Sequence, residues 1–266
     1  MTKLDGCIIA SQNDDAVLNA LHRFGFLRTR DLAAFIWGNP KKKKRNGFEP
    51  TPLILPESAI RMAQITLARL RRSHRVNRIM APDGSWLYGL AEAAARQLRI
   101  AGLPAKSSND ILKRVSLSHY HHRRLANEIT ILATLQGFNA FTEIEILSGK
   151  WFGGLTGINS KKPDAVIIDD KFIIWVEVER SRRNAKDYTK LITWLTSSWT
   201  TLNGYRNAPL KDDYELLRVL LVCDKSFVQR VISDLKLAGW DDDLIKHRIQ
   251  AVPLDYVSEA KFIQTA

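Results

Sequence analysis

The 266 residues carry 40 Lys and Arg against 28 Asp and Glu, giving a net charge of +12 and a pI near 9.8. With 45% hydrophobic and 26% charged residues, the composition is globular, enough for one large or two modest domains, and the basic excess points to a polyanionic partner. No run approaches eighteen apolar residues and no secretory h-region is recognisable, so neither membrane insertion nor export is expected. Cys7 and Cys223 lie far apart without zinc or disulfide spacing, which fits a reducing cytoplasm.

The basic excess is mostly N-terminal: residues 1–112 hold 18 Lys/Arg against 9 Asp/Glu, and residues 113–266 hold 22 against 19. Residues 14–36 carry Val17, Leu18, Leu21, Phe24, Leu27, Leu32, Phe35 and Ile36, the pattern of two short amphipathic helices broken at Gly25. Thr29 or Asp31 could cap the second helix, which must stop at Gly38-Asn39-Pro40. Lys41, Lys42, Lys43, Lys44 and Arg45 follow in a stretch rich in Pro and Gly; this is a solubilising loop or, as five consecutive cations suggest, an arm for the DNA backbone.

Residues 57–75 read as a helix with Ile60, Ala63, Leu67 and Leu70 as its core stripe. Arg61, Gln64, Ala68, Arg71 and Arg75 fall on an adjoining stripe with Arg72 beside it, either a basic surface or a recognition helix, since Arg and Gln can pair with base edges in the major groove. Two strand-like runs, 76–80 and 86–90, flank Ala81-Pro82-Asp83-Gly84, and a helical pattern resumes over 92–100. The order helix, helix, helix, hairpin, helix resembles a winged helix-turn-helix domain. Residues 105–110 look like a linker, dividing the chain into 1–110 and 111–266.

In the second part a helix is expected over 119–136, with Leu125, Ile129, Leu132 and Leu135 on its apolar side and Glu128 elsewhere. At its start lies His119-Tyr120-His121-His122. Histidines two apart diverge on a helix, so this element reads as a phosphate-facing or structural cluster rather than a metal site. A strand over 139–147 and a Gly-rich loop over 149–162, carrying Lys150, Lys161 and Lys162, lead to Pro163-Asp164. Two apolar runs then flank a hairpin turn at Asp169-Asp170. Strand alternation puts Glu177 and Glu179 on one face with Trp175, and antiparallel folding brings Asp164 beside them. Such convergent carboxylates suit magnesium or manganese. A helix over 185–202, a buried strand over 216–223, a helix over 227–238 and a strand over 249–254 complete the pattern. The tryptophans read as core.

Pro163-Asp164, twelve residues, then Glu177-Val178-Glu179 resembles the Pro-Asp…(Asp/Glu)-x-Lys nuclease motif, and the chain is most similar to the replication-relaxation family, which includes MobC-type relaxases of mobilisable plasmids. The resemblance implies an α/β (α+β) chain with a winged helix joined to a PD-(D/E)XK restriction-endonuclease-like domain built on a central mixed sheet. It implies a cytoplasmic Mg²⁺- or Mn²⁺-dependent nickase acting at a plasmid transfer origin, working with accessory mobilisation and coupling proteins. Asp164 and Glu177 would be catalytic metal ligands, with Glu128 as an additional acid, although an exposed helix glutamate is an equal reading of that residue. Glu179 stands where the family has Lys, as a further ligand or base. Lys190, with Lys186 second, is the expected replacement, and Tyr188 a possible direct nucleophile. A non-catalytic replication or transfer regulator with a degenerate nuclease fold is the alternative, and a restriction or repair nuclease would share the same site.

Overall fold

A computed structural model describes residues 3–39, 47–51, 55–109, 112, 116–179, 185–199 and 214–253. Its first elements are α1 (Lys3–Phe24), β1 (Leu27–Arg28), α2 (Thr29–Trp37), α3 (Glu57–Arg72), β2 (Val76–Met80), β3 (Trp86–Leu90) and α4 (Glu92–Ile100). There follow α5 (Leu117–Leu135), β4 (Asn139–Thr142), α6 (Glu143–Leu147), β5 (Ala165–Asp169) and β6 (Phe172–Glu179). The last are α7 (Ala185–Trp199), β7 (Glu215–Cys223), α8 (Lys225–Leu237), α9 (Asp242–Arg248) and β8 (Ile249–Pro253). The fold is mixed α+β with two sheets.

The smaller sheet is antiparallel in the order β1-β3-β2. Gly25 ends α1 at φ 77°, and a Cβ there would lie 2.6 Å from Ile144 Cδ1, so glycine permits both the left-handed turn and the approach of α6. Asp31 does not sit at the cap itself. Its Oδ2 reaches back to accept from Arg28 N at 2.9 Å. In α3, Ala59, Ala63, Thr66, Leu67 and Leu70 are buried. The helix stops at Arg72 because His74 turns left-handed at φ 54°, which takes Arg75 off the helical stripe.

The larger sheet runs β4-β5-β6-β7-β8, antiparallel through β6 and parallel thereafter. On one face Ala165, Ile167, Ile174 and Val176 join an apolar cluster with Leu125, Ile129 and Leu132 of α5. That cluster continues through α2 and α3 to Val17 and Leu18 of α1 and reaches Val252 of β8. On the other face Val166, Ile168, Ile173 and Trp175 pack with Leu191 and Leu195 of α7 and Val231 and Leu235 of α8. Burial on both faces explains the continuous apolar runs in the sequence.

Two of the expected elements are corrected. The strand predicted over 139–147 ends at Thr142, where Thr142 Oγ1 and the Glu145 carboxylate exchange backbone hydrogen bonds in a capping box that starts α6. The hairpin turn is Asp170-Lys171, one residue late, since Asp169 pairs with Phe172 and Asp170 takes φ 56°. Helix α9 was not foreseen. The cationic run Lys41–Lys44 with Arg45 lies outside the described residues. Cys7 is exposed and Cys223 buried, both as free thiols, and no helix among the described residues is long and apolar enough to cross a membrane.

Candidate functional site

Ala165 pairs with Val176, and one further step of that register sets Asp164 opposite Glu177. Asp164 N donates to Val176 O at 3.0 Å, and Asp164 Oδ2 accepts from Val178 N at 2.8 Å, so the backbone fixes this carboxylate. Glu177 and Glu179 are both buried. Trp175 Nε1 donates to Glu177 Oε2 at 3.1 Å, the shared strand face that alternation predicts.

The lysine beside this pair comes from an unexpected place. Lys161 Nζ donates to Glu177 Oε1 at 2.6 Å. It is delivered by a tight reversal in which Ile158 and Lys161 exchange backbone hydrogen bonds of 2.9 and 3.0 Å, with Asn159 at φ 48° and Ser160 at φ 62°. Gly157 permits this, for a Cβ there would stand 1.8 Å from Lys161 O. Trp194 Nε1 pins the turn by donating to Ile158 O at 2.8 Å. Lys190, the expected lysine, is exposed and bonded to Asp187 Oδ1 at 3.3 Å. It lines the same cleft of about 600 Å³ as Lys161 but does not engage the carboxylates. Lys186 is exposed as well.

The second cation is His122 of α5, whose Nε2 lies 3.2 Å from Asp164 Oδ2. Burial opposes its charge, but the Asp164 hydrogen bond and the charges of Asp164, Glu143 and Glu177 outweigh that, raising its pKa. Burial and the Glu177 charge push the Asp164 carboxyl up, against the bonds from His122 and Val178. The His-Tyr-His-His element therefore diverges as helix geometry requires. Tyr120 is buried toward the other sheet and donates to Asp83 Oδ2 in the β2–β3 turn at 2.5 Å. Although burial opposes the Asp83 charge, the bonds from Ser85 and Tyr120 hold its pKa down at about 2.

Glu128 is neither an exposed glutamate nor a ligand beside Asp164. It is buried against Arg28, which also grips Asp31 through Nε at 2.9 Å and Nη2 at 2.7 Å. Burial opposes the Arg28 charge, but Asp31 and Glu128 more than reverse this and strengthen its hold on the proton. Arg124 completes the cluster, 3.7 Å from Glu128 and 3.4 Å from Asp83. Tyr188 is likewise turned away. Its hydroxyl donates to Asp234 Oδ2 at 2.6 Å beneath the Arg230 guanidinium, and burial followed by that bond raises its pKa, so it is no nucleophile beside the acids.

Among the described residues no group of three His, Cys, Asp or Glu is arranged to hold a metal ion. The pair Asp164 and Glu177 nevertheless fits Mg²⁺ or Mn²⁺ by donor chemistry. Glu177 is buried and Asp164 partly exposed, two oxygen donors in register, and desolvation first and the Glu177 charge second push the Asp164 carboxyl up, a pressure that a divalent cation would relieve.

On the N-terminal half, Arg61, Gln64, Arg71 and Arg72 are exposed. Arg75 is not available in the same way, since it bonds Gln97 at 2.7 Å and lies 3.7 Å from Asp14. The sequence reading missed Arg78, which stacks 3.9 Å over the exposed Trp86 ring on the hairpin. Comparison with known proteins adds no relative: no family model, curated protein or solved structure matches the chain.

Proposed function

We propose that the chain is a metal-dependent DNA nickase of the replication-relaxation type. In this reading residues 1–110 are a winged-helix unit that locates DNA, and residues 111–266 are a PD-(D/E)XK nuclease-like unit that cuts one strand at a plasmid transfer origin. The observation that carries the proposal is the trio Asp164, Glu177 and Lys161, a partly exposed and a buried carboxylate in register with an ammonium on the buried one. The order α1, α2, α3, hairpin, α4, with Arg61, Gln64, Arg71 and Arg72 exposed on α3, supports the duplex-reading half.

Asp164 and Glu177 would hold Mg²⁺ or Mn²⁺, which when bound lowers the pKa of a water and offsets charge on the scissile phosphate. Lys161 supplies the positive charge that the motif places where this chain has Glu179, and its Nζ can steady a phosphate oxygen at the mouth of the cleft it lines. His122 orients Asp164 from the opposite side. Accessory mobilisation and coupling proteins would be the partners of such an enzyme.

One observation favours a second reading, a non-catalytic DNA-binding regulator: His122 and Lys161 already act as internal counter-ions to both acids. Supercoiled plasmid bearing the transfer origin separates the two. Mg²⁺- or Mn²⁺-dependent open circles nicked at one position, reduced at least about a hundredfold in Asp164→Ala, Glu177→Ala and Lys161→Met, are the expected result. Binding without cleavage, equal in all variants, would establish the regulator instead.

A further inference from the structure

A second cavity, of about 610 Å³, lies away from the carboxylates, between the end of α1, the connection after α4, and α6. Its walls include Leu103, Pro104 and Ile144, and its rim carries His22, Lys106 and Lys150. Both lysines are exposed and make no ion pair among the described residues. The one acid in the lining, Glu145, is already committed: it accepts from Arg23 Nε at 3.1 Å and from Thr142 N at 2.9 Å. Burial and the nearby Lys150 charge lower the pKa of His22, leaving a neutral imidazole that can donate one hydrogen bond.

A pocket of this volume is of small-molecule size, with apolar walls to take a ring and a few polar groups to fix orientation. Two unneutralised ammonium groups on the rim, with no free carboxylate opposing them, select a ligand carrying about two negative charges. We propose that this cavity binds a nucleoside 5′-phosphate, with the phosphate between Lys106 and Lys150 and the base and sugar against Leu103, Pro104 and Ile144. The nucleotide could be free or the 5′-phosphorylated end of a strand, which present the same chemistry. Neither Asp164 nor Glu177 lines this cavity, and ligand binding rather than cleavage reads it out.

The test is calorimetric titration of the full chain with 5′-AMP, adenosine and orthophosphate separately, repeated on Lys106→Glu/Lys150→Glu. The expected result is 5′-AMP binding with Kd at or below about 1 mM, adenosine and orthophosphate each at least about tenfold weaker, and at least about tenfold loss in the double variant at unchanged Tm. A 5′-phosphorylated oligonucleotide that displaces 5′-AMP, where its unphosphorylated twin does not, would support the site and assign the nucleotide to a strand end. Failure of both oligonucleotides to compete with bound 5′-AMP would support it as a site for a free nucleotide. No heat with 5′-AMP up to about 10 mM, or equal binding by the double variant, overturns the proposal.

Discussion

Helix α5 carries two charge clusters that bury carboxylates in different ways. In one, Glu128 and Asp31 meet Arg28, with side chains only 6%, 4% and 3% exposed. In the other, Asp164 and Glu177 meet His122 and Lys161, whose side chains are 34% and 22% exposed, and Lys161 lines an open cleft. A guanidinium keeps its proton at every physiological pH and grips a carboxylate through two nitrogens. An imidazole loses its proton readily, and an ammonium is a point charge on a flexible stem. Burial of an acid is therefore not what marks a reactive site. The kind of cation beside it, and whether that cation can leave, separates the scaffold cluster from the candidate centre.

The sharpest way to break this distinction is Glu128→Ala, which leaves Arg28 in the core with Asp31 and a longer 3.9 Å contact to Asp83, and is expected to cost about 3–5 kcal/mol in urea unfolding. A loss under about 1 kcal/mol would put both clusters in one class. Asp164→Asn should behave in the opposite way. Its carboxyl is pushed up in the folded state, so ionising it works against folding as pH rises, whereas Asn keeps an acceptor for Val178 N. Stability at neutral pH is expected to stay within about 1 kcal/mol of wild type or to exceed it.

The smallest effect is that of His122 in the metal-free protein. Its folded pKa lies above the ordinary 6.5, so its contribution is complete below that value and disappears as pH rises through the folded pKa. Because the side chain is about one-third exposed, the contribution is roughly 1 kcal/mol or less. Tm measured against pH should show this fall in the wild type, and His122→Ala should flatten it.

Much of the architecture was legible because local signals and burial agree. The runs 76–80 and 86–90 become β2 and β3 around an Asp-Gly turn, and Glu177 shares a face with Trp175 by strand alternation alone. Lys161 was not legible as the partner of Glu177. It lies sixteen residues upstream, and its direction depends on the left-handed Asn159-Ser160 pair and on Trp194 holding the turn. His122 meets Asp164 only because α5 packs across the end of β5, a tertiary fact. The partner of Glu128 was not legible because nothing near it in sequence announces Arg28, the β1 residue that precedes α2. The signal for α9 was present in Asp241, whose side chain accepts from Leu244 N at 2.7 Å, but seven residues of helix offer too little periodicity to stand out.

The apolar cluster that runs from Val17 through α5 to Val252 bears on how such a chain could be recombined. A graft that replaced residues 1–110 with an unrelated unit would have to recreate the surface that meets Leu125, Ile129 and Leu132, and also provide a guanidinium for Glu128. Exchanging the whole N-terminal half is thus a problem of core design. Changing the exposed Arg61, Gln64, Arg71 and Arg72 leaves that core untouched, so under the proposed function these positions are where target choice could diverge without refolding the rest.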